Sequence, residues 1–414
     1  MQKRAIGLFV IFSPFTAYFA ISPWLRLPVM LILFVYIIFL IKIVLQKKIS
    51  RNFIFGINTA DILLLLLLIS IMISLSFNGI NSKGVNHVFA YTFTFLILFI
   101  GLKKIIDFEG IGYFFILKML AITSLLCGVI IISDWILVNF LSIGFREYFV
   151  KVDNRIANML YYSKGYFISV GGVAEEPGSM ALLLNIISPL GLLYWKLREK
   201  YVYFLLSLGI YLLSLFFLFS VTGLVSVSCS VAFLALLKLA GKGARWRAKR
   251  GIFILTCCFL FSCAVIGTLY AIRNRDLLVQ QMQEIKAKIL LNDQDVSANA
   301  RTETWQNALN DWRRSPIWGN GPGNSMKLYD TGYHSVYLTL LADTGVVSLT
   351  LFLLFVLMQF REVLLVGGKY RSYLFIALFS ALIHFAVVGD FYHAPFWIML
   401  ICIHLIRKST YSAG

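Results

Sequence analysis

Apolar positions along this chain come in long unbroken runs, not in the alternation of a half-buried strand. A hydrocarbon layer of about 30 Å needs about 20 apolar residues per helix. Read against that length, the runs predict about twelve spans, near 5–23, 27–45, 60–77, 85–102, 113–138, 178–195, 202–218, 221–239, 251–272, 335–360, 373–389 and 393–406. The polar stretches between them are short, except 141–177 and 273–333. The pattern predicts an all-α polytopic membrane protein, with 1–414 forming a single integral membrane domain. The larger loop falls between the ninth and tenth spans. The first run is too long, and too soon followed by another, to be a cleaved signal peptide.

A loop as long as 273–333 inside a compact fold is expected to carry structure or function. Leu278, Met282, Ile285 and Ile289 recur with helical spacing, predicting an amphipathic helix on the membrane surface or over the bundle. Asn299 is placed to cap a second helix with Trp305, Leu309 and Trp312 as its apolar stripe, and Ser315-Pro316 to stop it. Gly319-Asn320-Gly321-Pro322-Gly323-Asn324-Ser325 then reads as a tight multiple turn. No internal repeat is evident. The inverted repeats and broken helices of a transporter are therefore not expected.

Composition agrees with the pattern: 60% of residues are hydrophobic and only 14% charged. The net charge of +18 could suggest a nucleic-acid partner, but its distribution argues otherwise. With the N-terminus inside and sides alternating, the inner segments hold 22 of the 37 basic residues and five acidic ones. The outer segments hold 14 basic residues and 12 acidic ones, with Asp134 and Asp343 towards the outer ends of spans. The positive-inside rule then puts both termini in the cytoplasm. The basic run 241–250 is a topology anchor at anionic lipid, not a nucleic-acid site. All six cysteines fall within predicted spans with no zinc-like spacing, so they read as packing residues.

Candidate chemistry gathers on the outer side. An arginine held at a membrane surface offers two parallel donors to a phosphate, and Arg301 opens the second loop helix. An imidazole can take a proton from a hydroxyl, and His334 stands at the mouth of the tenth span. Taken alone, each has a bland reading: a solvated arginine and an interfacial histidine. Gly321 and Gly323 could present backbone N–H groups to a phosphate, or form a purely structural turn. That turn lacks the Lys-Ser/Thr of a nucleotide loop. Glu176 precedes Pro177 at the sixth span, where an acid and a proline also suit an ordinary helix start. Arg273 and Arg275 follow the ninth span as phosphate ligands or anchors. Asp390-Phe391-Tyr392-His393 forms the last outer turn, as pocket or aromatic belt. His384 is an ionisable group inside a span, a functional hypothesis by default, whereas His87 and His404 look incidental.

Four motifs occur in order: Arg301 ahead of Trp305, Pro316-Ile317-Trp318-Gly319-Asn320-Gly321-Pro322-Gly323, His334-Ser335-Val336-Tyr337-Leu338, and Asp343-Thr344-Gly345. This arrangement resembles the signature of the O-antigen polymerase and ligase superfamily of bacterial inner-membrane proteins. The close match covers about residues 300–345. Gly171-Gly172-Val173-Ala174-Glu175-Glu176-Pro177-Gly178 resembles a Glu-Pro element frequent in repeat-unit polymerases. The usual arginine ahead of it is replaced here by Ile168 or Ser169, leaving Arg155 or Lys164 as substitutes.

The resemblance implies glycosyl transfer at the periplasmic face of the inner membrane, with an undecaprenyl-pyrophosphate-linked glycan as donor and a second one as acceptor. Pyrophosphate is a good leaving group, so no nucleotide, metal or other cofactor is expected. Arg301 would meet the developing charge, helped by Arg273, Arg275 or Arg155. His334 would be the base, with Glu176 as competitor, and direct attack would invert the anomeric centre. Gly321, Gly323, Tyr337 and His393 complete the expected substrate-binding set. The lipid bilayer and a chain-length regulator are expected partners. The alternatives are an O-antigen ligase that moves the finished glycan to lipid A-core, and a lipid-linked glycan flippase.

Overall fold

A computed structural model describes residues 1–19, 21, 25–46, 56–144, 161–164, 167–240, 296–389 and 391–411. The predicted ninth span, the amphipathic helix near 278–289, and Arg155, Arg273, Arg275 and Asp390 lie outside the described residues.

The apolar runs fold into helices. These are α1 (Gln2–Phe12), α2 (Leu27–Gln46), α3 (Thr59–Phe77), α4 (Ser82–Phe108), α5 (Tyr113–Leu141), α6 (Pro177–Leu197), α7 (Tyr201–Phe217) and α8 (Val221–Ala240). After the undescribed segment come α9 (Val296–Arg314), α10 (Asn324–Leu328), α11 (Val336–Leu365), α12 (Gly368–His384) and α13 (Ala394–Tyr411). Among the described residues, six helices (α2 to α6 and α11) are long and apolar enough to cross a membrane, with α7 and α8 shorter apolar helices. The protein is a multi-pass membrane protein.

α6 is the centre of the bundle. Its apolar window is 83% buried, and it packs against α5, α7 and α12. Gly191 lets α6 lie close to α5, because a Cβ there would stand 3.0 Å from the Ala121 Cα. Elsewhere the apolar faces look outward, as Leu357 on α11 and Ile62 on α3 do. A surface of this kind belongs in lipid, where apolar side chains need no cover.

Three departures from the expected pattern have physical causes. The run 5–23 forms only an 11-residue helix, about 16 Å long and too short to span, because Ser13-Pro14 ends it. The chain then proceeds through turns, and Ala17 N–H donates to the Val173 carbonyl at 3.2 Å. The segment 141–177 contains an antiparallel hairpin, β1 (Tyr161–Lys164) and β2 (Phe167–Val170), where the other elements among the described residues are helices. Asn139 at the end of α5 clamps it, donating to the Ile168 carbonyl at 3.0 Å and accepting from its N–H at 2.7 Å.

The third departure shapes the candidate site. α11 is broken at Gly345, with φ 80° and ψ 177°. The 20 residues from Val346 to Leu365 suffice to cross a 30 Å layer, so the turns from Val336 to Thr344 are left over for the loop side. Such a break, unexpected from the sequence, exposes backbone groups that need partners. The loop supplies them. Val346 N–H donates to the Pro316 carbonyl at 3.0 Å, Asn320 N–H to Ala342 at 3.0 Å and Gly321 N–H to Asp343 at 2.8 Å.

Candidate active site

The site is built where α9, the glycine turn and the start of α11 interlock. α9 begins before Asn299, which therefore lies within the helix and does not cap it, and it ends before Ser315-Pro316 as expected. Its packed face is also rotated from the expected tryptophan and leucine stripe. Ala308 and Asp311 are buried, while Leu309 is exposed. The reason is Tyr333: its ring needs the small Ala308, and its hydroxyl donates to Asp311 Oδ2 at 2.7 Å. Tyr329 donates to the same oxygen at 3.1 Å, and Arg314 pairs with Oδ1 at 3.1 Å. Burial, together with the Asp343 and Asp311 carboxylates, holds the Tyr333 phenol well above its usual range, so it remains a donor.

Asp343 organises the other half. Its Oδ2 accepts from Gly323 N–H at 2.9 Å, and its carbonyl accepts from Ser74 Oγ on α3 at 2.9 Å. Gly319 and Gly345 have no room for a side chain: a Cβ would stand 2.4 Å from the Asp343 carbonyl in one case and 2.0 Å from the Ile317 carbonyl in the other. Both also have positive φ. The nest expected of Gly321 and Gly323 is therefore corrected. Both glycines are buried and donate their N–H groups to Asp343, so the turn is a structural plug in the broken helix.

His334 lies at the rim of this plug. It is exposed, and its φ of 50° is left-handed, a conformation histidine adopts more readily than most residues. Its Nε2 is 3.4 Å from Thr331 Oγ1. Two residues on, Val336 N–H donates to the Phe385 carbonyl at 2.9 Å, docking the His334 turn onto the end of α12. Tyr337 donates its hydroxyl to the Leu382 carbonyl at 2.8 Å. That donor holds α11 to α12.

His384, at the end of α12, is where the separate candidates meet. Its ring is fully buried, with Nδ1 3.1 Å from Ser226 Oγ on α8. Asn185 on α6 donates to that same hydroxyl at 3.1 Å and accepts from Tyr211 on α7 at 2.7 Å. Arg301 and His393 lie within electrostatic range of the imidazole, and the Gly178 backbone at the start of α6 lies beside it. Nε2 makes no hydrogen bond of normal geometry among the described residues. A buried polar atom in that position calls for a ligand, a water or a proton-transfer role.

Glu176 is exposed at the N-cap of α6 with Pro177 at N1, the ordinary helix start of the bland reading, yet its side chain makes no cap hydrogen bond. Ser169 is fully buried and donates to the Leu218 carbonyl at 2.8 Å, so no arginine fits where related motifs carry one. A cation arrives from elsewhere, since Arg26, just before α2, pairs with Glu175. Nothing near Arg26 in the chain pointed to this. His87 is likewise not incidental. Its ring lies against Gly323, where a Cβ would stand 2.6 Å from its Cδ2, and its Nδ1 is 3.2 Å from the Tyr392 hydroxyl.

With the geometry in place, comparison with known families identifies the region. Residues 203–353 match the family model described as O-antigen ligase. This stretch is a domain of the O-antigen polymerase and ligase superfamily. The domain runs from α7 to beyond the break in α11, so it takes in Arg301, the glycine plug, His334 and Asp343. Glu176, His384 and His393 lie outside it. The superfamily consists of glycosyl-transferring enzymes, and the match supports O-antigen polymerase or ligase activity in general. No curated protein matches the chain.

Proposed function

We propose that this protein polymerises undecaprenyl-pyrophosphate-linked repeat units at the periplasmic face of the inner membrane. The observation that carries this reading is the convergence on the end of α12. The Glu-Pro element, frequent in polymerases, opens α6, whose Gly178 backbone lies beside the buried His384 ring, next to the Phe385 carbonyl that anchors the His334 turn.

In the proposed reaction, an acceptor sugar hydroxyl attacks the anomeric carbon of the donor glycan. The bond from that carbon to the pyrophosphate oxygen breaks with inversion, and undecaprenyl pyrophosphate leaves. His334 takes the hydroxyl proton, a contribution of about 10²–10⁴-fold for a positioned base. Arg301 offsets the charge growing on the leaving oxygens, where a fixed cation in a poorly solvated site acts most strongly. Glu176 remains the competing base, and His393 lies beside the donor. Arg155, Arg273 and Arg275 are proposed helpers at the pyrophosphate.

The matched model's own description favours a second reading, the ligase that moves finished glycan to lipid A-core. Deleting the gene separates the two. Loss of a polymerase leaves lipopolysaccharide capped by at most one repeat. Loss of a ligase leaves polymer on undecaprenyl pyrophosphate and a bare core. A flippase, the remaining alternative, would need a path along the broken helix, and the Pro316–Gly321 backbone fills that break. Purified protein that flips a lipid-linked repeat but never extends it would overturn the polymerase reading.

A further inference from the structure

At the end of the bundle remote from His334, a pocket of about 300 Å³ opens between the start of α3, the last turns of α4, the far part of α11 and α13. Lys103, Arg361, His404, Arg407 and Lys408 line it, with Glu362 as the acid among them. Three carboxylates hold this cluster together. Lys103 pairs with the buried Asp61. Arg407 gives its Nε to Glu362 at 2.6 Å, and Lys408 and His404 share Asp107 at 2.7 and 3.3 Å. Among the described residues, four permanent cations thus face three carboxylates. The surplus is at the rim, where the Arg361 side chain is 68% exposed and 4.0 Å from Glu362, beside the Asp107-paired Lys408, whose side chain is 59% exposed.

A cluster that only fastened helices together would balance its charges and close its space, since protein interiors leave few voids larger than a water. This one keeps both a surplus cation and a cavity, a combination that suits an anionic guest. The neighbouring surfaces indicate what kind. Leu357 and Leu364 on α11 and Ile62 and Leu66 on α3, all exposed and apolar, flank the pocket residues in the chain. A ligand with a phosphate head and apolar tails satisfies both features, whereas free phosphate satisfies only the first. Basic pockets between membrane helices on the positively charged face are suited to such headgroups.

We propose that this pocket holds the phosphate of an anionic membrane phospholipid, with its acyl chains along the apolar faces of α3 and α11. The inference is independent of the reaction at the other end. It is tested on the full-length purified protein by native mass spectrometry in mixed phosphatidylglycerol and phosphatidylcholine. The wild type should retain phosphatidylglycerol selectively. The double variant Arg361→Gln/Lys408→Gln removes two exposed side chains and should keep its thermal unfolding temperature. Its retention should fall roughly fivefold per charge removed, about 25-fold in all. The control Lys196→Gln/Arg198→Gln removes two exposed charges from the same end outside the pocket and should retain the lipid. Equal retention of both lipids by the wild type, undiminished retention by the double variant, or an equal loss in the control would each overturn the proposal. Displacement of the lipid by millimolar inorganic phosphate would overturn it in favour of a soluble anion.

Discussion

The two ends of the bundle handle their charged residues in different ways. At the end holding the pocket, Lys42, Lys103, Arg407 and Lys408 are each matched with a carboxylate. At the loop end, order comes mostly from hydrogen bonds between side chains and backbone: Asp343 to the glycine plug, Asn320 to Ala342, Val336 to Phe385. Among the described residues, neither Arg301 nor Glu176 forms a salt bridge. One end thus pairs most of its charges within the protein and leaves Arg361 as the excess cation at the pocket rim. The other builds a rigid scaffold from backbone and leaves charged groups at its rim for something that arrives, the arrangement expected where substrate carries the opposite charge.

That contrast can be broken most sharply at the loop end. His334→Ala and Arg301→Ala should each lower transfer between synthetic lipid-linked repeats by roughly 10²–10⁴-fold with normal membrane insertion. Near-wild-type transfer by well-expressed His334→Ala would remove that residue from the chemistry. Arg301→Lys, which keeps charge but loses the two-pronged geometry, should also be impaired.

At the opposite end the expected effect is on stability alone. Asp61→Asn strands the buried Lys103 charge and should cost about 3–5 kcal/mol in detergent unfolding, with activity per folded molecule unchanged. A selective loss of turnover there would mean that the two ends are coupled.

Gly345→Ala tests the scaffold between them. A Cβ would strike the Ile317 carbonyl in a left-handed backbone, so about 2–5 kcal/mol of destabilisation is expected, with loss of activity. Unaltered unfolding would show that α11 runs straight and that the plug is not needed. The smallest effect should come from Tyr333→Phe, which deletes one donor to Asp311 and should cost about 1 kcal/mol. A change in turnover larger than that stability loss would show Tyr333 positioning the His334 turn.

Much of this was legible beforehand. Long apolar runs at α2 to α6 and α11 give helices because the backbone can bond within itself whatever lies around it. Pro316 ends α9, and Pro177 starts α6, for reasons confined to their own peptide units. The motifs around Arg301, the glycine turn and His334 could be read as one set. The purpose of the glycines could not, because it depends on a chain segment 20 residues further on that receives the turn. The cation that Arg26 brings to Glu175 and the placement of His87 were missed for a similar reason. Each depends on which helices become neighbours.

The sequence by itself determined that this is a multi-pass helical membrane protein and which stretch carries a superfamily signature. Those properties follow from local hydrophobicity, backbone geometry and motif order. Only the tertiary structure decided that α11 breaks at Gly345 and is plugged by the loop, and that His384 is buried against Ser226 of α8 beside the start of α6. A backbone carbonyl left open by a helix break, or a ring nitrogen buried between three helices, is satisfied or left waiting only by what packs against it.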